Sequence, residues 1–98
     1  MIVRYRERAL LDIDELHKYI EEQSPSGAHN VLQEIYRSIA LIAEQPLACQ
    51  RTDDPDVRVK VVRRYRYKVF YAVPDEETVE IIHVRHTSRL PWSAVISP

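Results

Sequence analysis

The chain has 98 residues, 14 Lys+Arg against 15 Asp+Glu, and a formal net charge of −1, which allows one domain over residues 1–98 and excludes the bulk basicity of a histone-type DNA binder. Hydrophobic residues at 45% and charged residues at 30% exclude a disordered chain, and a single glycine argues against P-loop and dinucleotide-binding loops, which need several. The lone cysteine, Cys49, excludes an internal disulfide framework or a Cys-based zinc cluster and, with no apolar run near the roughly 18 residues that span a bilayer, leads us to expect a cytoplasmic protein.

Taken in chain order, Ile2-Val3-Arg4-Tyr5-Arg6 alternates as a strand does. From Ala9 the period changes. Ala9, Ile13, Leu16 and Ile20 form one helical stripe, with Asp12, Glu15 and Lys18 expected to turn away from it. Ser24-Pro25 ends this helix and starts another, because proline disfavours helix in the residue before it but suits the first helical position, where Ser24 can cap. Ala28, Leu32, Ile35, Ile39 and Ile42 carry the second stripe to about Glu44, and Pro46 stops it. So short a connection predicts an antiparallel helical hairpin.

Pro46 to Asp56 reads as a loop. Beyond it Val57, Val59 and Val61 alternate with Arg58 and Lys60, and Tyr67, Val69, Tyr71 and Val73 alternate with Arg66, Lys68, Phe70 and Ala72. Val79 to Val84 is almost continuously apolar, as suits an inner strand, and Pro74-Asp75-Glu76-Glu77 is the turn before it. The order β-α-α-β-β-β predicts an α+β domain: a helical hairpin on one face of a small, mainly antiparallel sheet, with the N-terminal strand as a fourth member.

Charge is distributed unevenly between the halves. Residues 1–49 hold five basic and eight acidic side chains, and residues 50–98 hold nine and seven. Arg58, Lys60, Arg66 and Lys68 read as solvated strand faces. Arg63-Arg64-Tyr65-Arg66 falls at a hairpin tip, where guanidinium groups suit carboxylates or phosphates. Arg85-His86-Thr87-Ser88-Arg89 lies at and just beyond the end of the buried strand, and Pro91-Trp92 adds an aromatic. His83 and His86 are three apart, which in a strand points them to opposite faces and so disfavours a shared metal. Asp53, Asp54, Asp56, Glu76 and Glu77 lie in polar turns, and neither Ser88 nor Cys49 has the surroundings of a nucleophile.

Val61-Val62-Arg63-Arg64-Tyr65-Arg66-Tyr67-Lys68-Val69-Phe70-Tyr71, a charged turn, then Val79 through Arg89 resembles the ParE/RelE superfamily of bacterial toxins. The helical hairpin and Pro46 follow the same order, and the resemblance covers roughly residues 2 to 92. It implies a plasmid-stabilisation type II toxin neutralised by direct binding of an antitoxin. RelE-like members are ribosome-dependent messenger-RNA endonucleases, whereas ParE-like members poison DNA gyrase. On the nuclease reading His86 would be acid or base and Arg64 and Arg85 phosphate clamps. Thr87 and Ser88 then stand where active nucleases place a tyrosine after the last strand.

The Tyr67-Lys68-Val69-Phe70-Tyr71 strand and the His86-x-x-Arg89 ending are more similar to the ParE branch. The resemblance therefore implies a gyrase-binding inhibitor with no catalytic residues and no cofactor. Its target surface would be Arg63, Arg64, Arg85, His86 and Arg89. A ParD-like antitoxin, dimeric and carrying two toxins, would cover the hairpin and sheet, with Leu11 and Leu41, off the core stripes, as anchors. Neither membrane attachment nor sequence-specific DNA binding by this chain is expected, and a non-toxic binding module remains a third reading.

Overall fold

The computed structural model describes residues 1–62 and 64–87. The first alternating residues form β1 (Ile2–Tyr5), the two stripes form α1 (Glu7–Gln23) and α2 (Pro25–Glu44), and the second half supplies β2 (Gln50–Arg51), β3 (Arg58–Val62), β4 (Tyr67–Asp75) and β5 (Thr78–His86). One residue joins the helices. Ser24 is extended at φ −161° and ψ 105°; its N–H donates to Ile20 O at 2.8 Å to close α1, and its Oγ accepts from Gly27 N at 3.0 Å to open α2. Pro25 begins α2 without sacrificing an internal hydrogen bond.

Gly27, the single glycine of the sequence, sits where a Cβ would lie 3.0 Å from Ser24 Oγ. The residue thus leaves room for the cap. Ser24→Ala is expected to destabilise the domain by about 1 kcal/mol, read as a lowered urea midpoint at unchanged slope; an unchanged midpoint would show that the cap bond is idle.

The sheet has five strands in the order β1-β5-β4-β3-β2, with β1 parallel to β5 and every other pair antiparallel. The expected four-stranded sheet thus gains a two-residue edge strand, β2, inside the segment read as a loop. β5 is the inner strand, as its apolar run demands. A small device interrupts it: Phe70 pairs with His83 and Tyr71 with Ile81, so Ile82 is an extra residue and forms a β-bulge. Before the bulge Val79 and Ile81 face the helical core, and after it Val84 does; the parity of the strand has changed.

Ala9, Ile13, Leu16, Val31, Ile35, Ile39 and Ile42 of the hairpin pack on Val62, Val69, Tyr71, Val79, Ile81 and Val84. Val57, Phe70 and Ile82 form a smaller cluster with Val59 and Ala72. Three expectations need correction. Arg66 belongs to the β3–β4 turn rather than to the strand, at φ 59°, and Asp12 does not turn away from the α1 stripe but is 4% exposed within it. Arg58, read as a solvated strand residue, donates from Nη1 to Leu47 O at 3.2 Å and Cys49 O at 2.7 Å, and so fastens the segment after α2 to the sheet.

Candidate interaction groove

β1 covers β5 only as far as Ile81, whose carbonyl accepts the N–H of Arg6 at 2.9 Å. Past that point α1 takes over the exposed edge. Asp12, one turn into the helix, sends Oδ2 to Val84 N at 3.0 Å and to His83 Nδ1 at 3.1 Å, while Oδ1 accepts from Arg8 Nε at 3.1 Å. The carboxylate thus supplies the acceptor that a longer β1 would have given to Val84. Because a carboxylate can only accept here, His83 carries its proton on Nδ1. Burial holds the His83 pKa below the ordinary imidazole value, against the opposing pull of Asp12, and Arg85 and Arg8 act in the same direction as burial.

Beside this tie a groove of about 450 Å³ opens between α1 and the C-terminal end of β5. Asp12, Glu15, Leu16 and Tyr19 line it from the helix, Tyr67 from β4, and Val84, Arg85 and His86 from β5. Tyr67 and His86 are cross-strand partners whose rings meet edge to face at 5.3 Å, which fixes the imidazole against the groove wall. Arg85 Nε is buried and has no hydrogen-bond partner among the described residues.

Arg85 and His86 therefore converge as expected. Arg64 is not among the described residues that line the groove; it lies exposed at the β3–β4 tip with its guanidinium 5.8 Å from the centroid of the Tyr65 ring. Next to it Arg66 holds a left-handed conformation that glycine adopts at lower cost, so the tip retains an arginine at an expense of about 1 kcal/mol. Arg63 and Arg89, together with Ser88 and Trp92, lie outside the described residues. Leu11 is 44% and Leu41 49% exposed, both in the half of the hairpin remote from Ser24, and Leu10 beside them is 53% exposed.

Asp12 and the groove-lining Leu16, Tyr19 and Tyr67 were not legible as site residues. A signal for Asp12 exists: positions 9, 12, 13 and 16 are i, i+3, i+4 and i+7, so Asp12 completes the apolar stripe rather than opposing it. Among the described residues no cluster of three or more His, Cys, Asp or Glu is placed to hold a metal ion, and no helix is long and apolar enough to cross a membrane.

Comparison with solved structures gives the chromosomal ParDE system of P. aeruginosa, at TM-score 0.74 and 19% identity over 88% of this chain and 95% of that one. The intact E. coli RelBE complex matches at TM-score 0.62 and 24% identity, covering 90% of this chain and 98% of its counterpart. The isolated E. coli RelE toxin matches at TM-score 0.62 and 23% identity, covering 96% and 92%. These likenesses establish the shared α+β fold. No curated protein sequence matches the chain. The family described as the ParE toxin of the type II toxin–antitoxin system parDE matches residues 3–91. Family match and fold together place this chain in the ParE toxin family of type II toxin–antitoxin systems, within the wider ParE/RelE superfamily.

Proposed function

We propose that this chain, a single toxin domain over residues 1–98, arrests growth in the cytoplasm by binding DNA gyrase and is neutralised by a ParD-like antitoxin in a plasmid-stabilisation system. The observation that carries a binding rather than a catalytic mechanism is the make-up of the groove. A ribonuclease must activate a 2′-hydroxyl and neutralise a pentavalent phosphate, which calls for convergent cations. Here Arg85 and His86 face Asp12 and Glu15, and Arg64 stands apart at the hairpin tip. Arg64, Arg85 and His86, with Arg63 and Arg89 in the same sequence segments, act on this reading as contact residues for the target, through charge-assisted hydrogen bonds. Leu11 and Leu41, with Leu10, are apolar anchors for the antitoxin.

Supercoiling by purified gyrase should be inhibited by the free chain and restored by the product of the reading frame beside its gene. Unaffected supercoiling overturns the gyrase reading. Cleavage of translated messages that disappears in His86→Ala would replace it with the nuclease reading, and unchanged growth on expression without the antitoxin would leave a non-toxic binding module.

A further inference from the structure

The end of β5 that carries Arg85 and His86 is thinly held. β1 accompanies the strand only to Ile81, and the bulge at Ile82 interrupts the ladder to β4 just beyond it, between Phe70 and Tyr71. Past the bulge His83, Val84, Arg85 and His86 pair with Phe70, Val69, Lys68 and Tyr67 along one edge, and Thr87 N donates to Arg66 O at 2.6 Å. Along the other edge, among the described residues, a side chain stands in for a strand: Asp12 Oδ2 accepts from Val84 N at 3.0 Å and from His83 Nδ1 at 3.1 Å. Asp12 is itself steadied, since Arg8 Nε and Nη2 both lie 3.1 Å from its Oδ1.

Two kinds of failure are open to such an end. Slippage into an unbulged register would set His83 opposite Val69 and Val84 opposite Lys68, carrying an imidazole into the helix-side core and a valine out of it. Burial opposes that slip without help from Asp12. Fraying from β4 meets no such opposition, because a strand end paired along one edge opens locally at lower cost than the domain unfolds. It would part His86 from its edge-to-face contact with Tyr67 and leave Arg85 without a fixed direction.

We propose that Asp12 is a positioning residue for the target-contact surface, holding the end of β5 through Val84 and His83 so that Arg85 and His86 are ordered before the target arrives. The inference rests on the gyrase reading above and gives a share in inhibition to a residue outside the contact set. The gain is pre-organisation: side chains already fixed lose less freedom on binding.

The test compares the unaltered chain with Asp12→Ala, Asp12→Asn, Asp12→Leu and Ile35→Ala at a temperature where the folded fraction of each has been measured. The concentration of folded chain that half-inhibits gyrase supercoiling should rise about 10- to 100-fold for Asp12→Ala. Asp12→Leu, which keeps the volume and completes the apolar stripe, should lose inhibition likewise and serves where the alanine variant does not fold. Asp12→Asn should change the value by less than about 3-fold, because its amide oxygen still accepts from Val84 and His83. Ile35→Ala, which opens a cavity in the buried hairpin core, should inhibit like the unaltered chain once the folded fraction is counted. A second readout needs no target: exchange of the Thr87 amide, whose bond to Arg66 O Asp12 does not touch, should quicken at least about 10-fold relative to the slowest core amides in Asp12→Ala and Asp12→Leu, but not in Ile35→Ala. An unaltered chain that leaves supercoiling untouched would overturn the gyrase reading, while the exchange readout would still decide whether Asp12 holds the strand end. Undiminished inhibition by the Asp12 variants that lose the bonds, an equal fall in Ile35→Ala, or unchanged Thr87 protection would overturn the positioning role alone.

Discussion

Asp12→Ala is expected to destabilise the domain by about 3 to 5 kcal/mol and to lower its melting temperature by at least about 12 °C. The carboxylate is the acceptor for a buried backbone N–H, a buried imidazole and the Arg8 guanidinium, and alanine removes that acceptor from all three. Arg8 is 45% exposed and can return to solvent, so its share of the loss is small. Asp12→Asn should cost less, about 1 to 2 kcal/mol, since its amide oxygen still serves Val84 while its NH₂ opposes Arg8. Equal losses for the two variants would show that volume, not hydrogen bonding, matters at this position.

The same tie makes stability depend on pH in a definite direction. His83 has a folded-state pKa below its ordinary 6.5, mainly through burial, so below that pH the unfolded chain takes up the proton more readily. Stability is therefore present above pH 6.5 and declines as pH falls through the folded-state value. Asp12→Asn removes the negative charge that favours the imidazolium, so the decline should steepen. Urea midpoints at pH 7.5, 6.5 and 5.5 measure both effects, and a flat profile for the unaltered chain would contradict the assignment.

Tyr71→Ala should be comparably severe, at about 3 to 5 kcal/mol. The ring is fully buried in the helix-side core, and its hydroxyl donates to Pro46 O at 2.6 Å, so one residue both fills the sheet and anchors the chain leaving α2. Burial, above all, drives the phenol pKa upward, which keeps the donor protonated throughout the working pH range. Tyr71→Phe isolates the bond: a loss of about 1 to 2 kcal/mol is expected, with the Pro46 carbonyl left unpaired. A neutral Tyr71→Phe would place the whole effect in packing.

The helices were legible because their stripes and their shared cap are written in local spacing, β1, β3 and β4 because their residues alternate, and β5 because its apolar run is almost continuous. What failed had non-local causes. Asp12 was assigned to the outside by residue type although its position lay on the stripe. Ile82 looks like any other member of an apolar run, and only its pairing with β4 makes it a bulge. Arg85 and His86 stood out as a basic group past a buried strand. Their companions Leu16, Tyr19 and Tyr67 come from other elements, and nothing in the linear order brings those together.

β1 has a consequence for how the protein is made. Ile2 to Tyr5, made ahead of every other described element, pair with Thr78 to Ile81, in parallel and across nearly the whole described chain. Such contacts are slow to form because closure of the intervening chain must precede them. On the ribosome the hairpin and β2 to β4 emerge before β1 has a neighbour, and the Asp12 tie to His83 and Val84 must likewise await β5. The groove therefore comes into being only with β5, and translation itself withholds that surface until then.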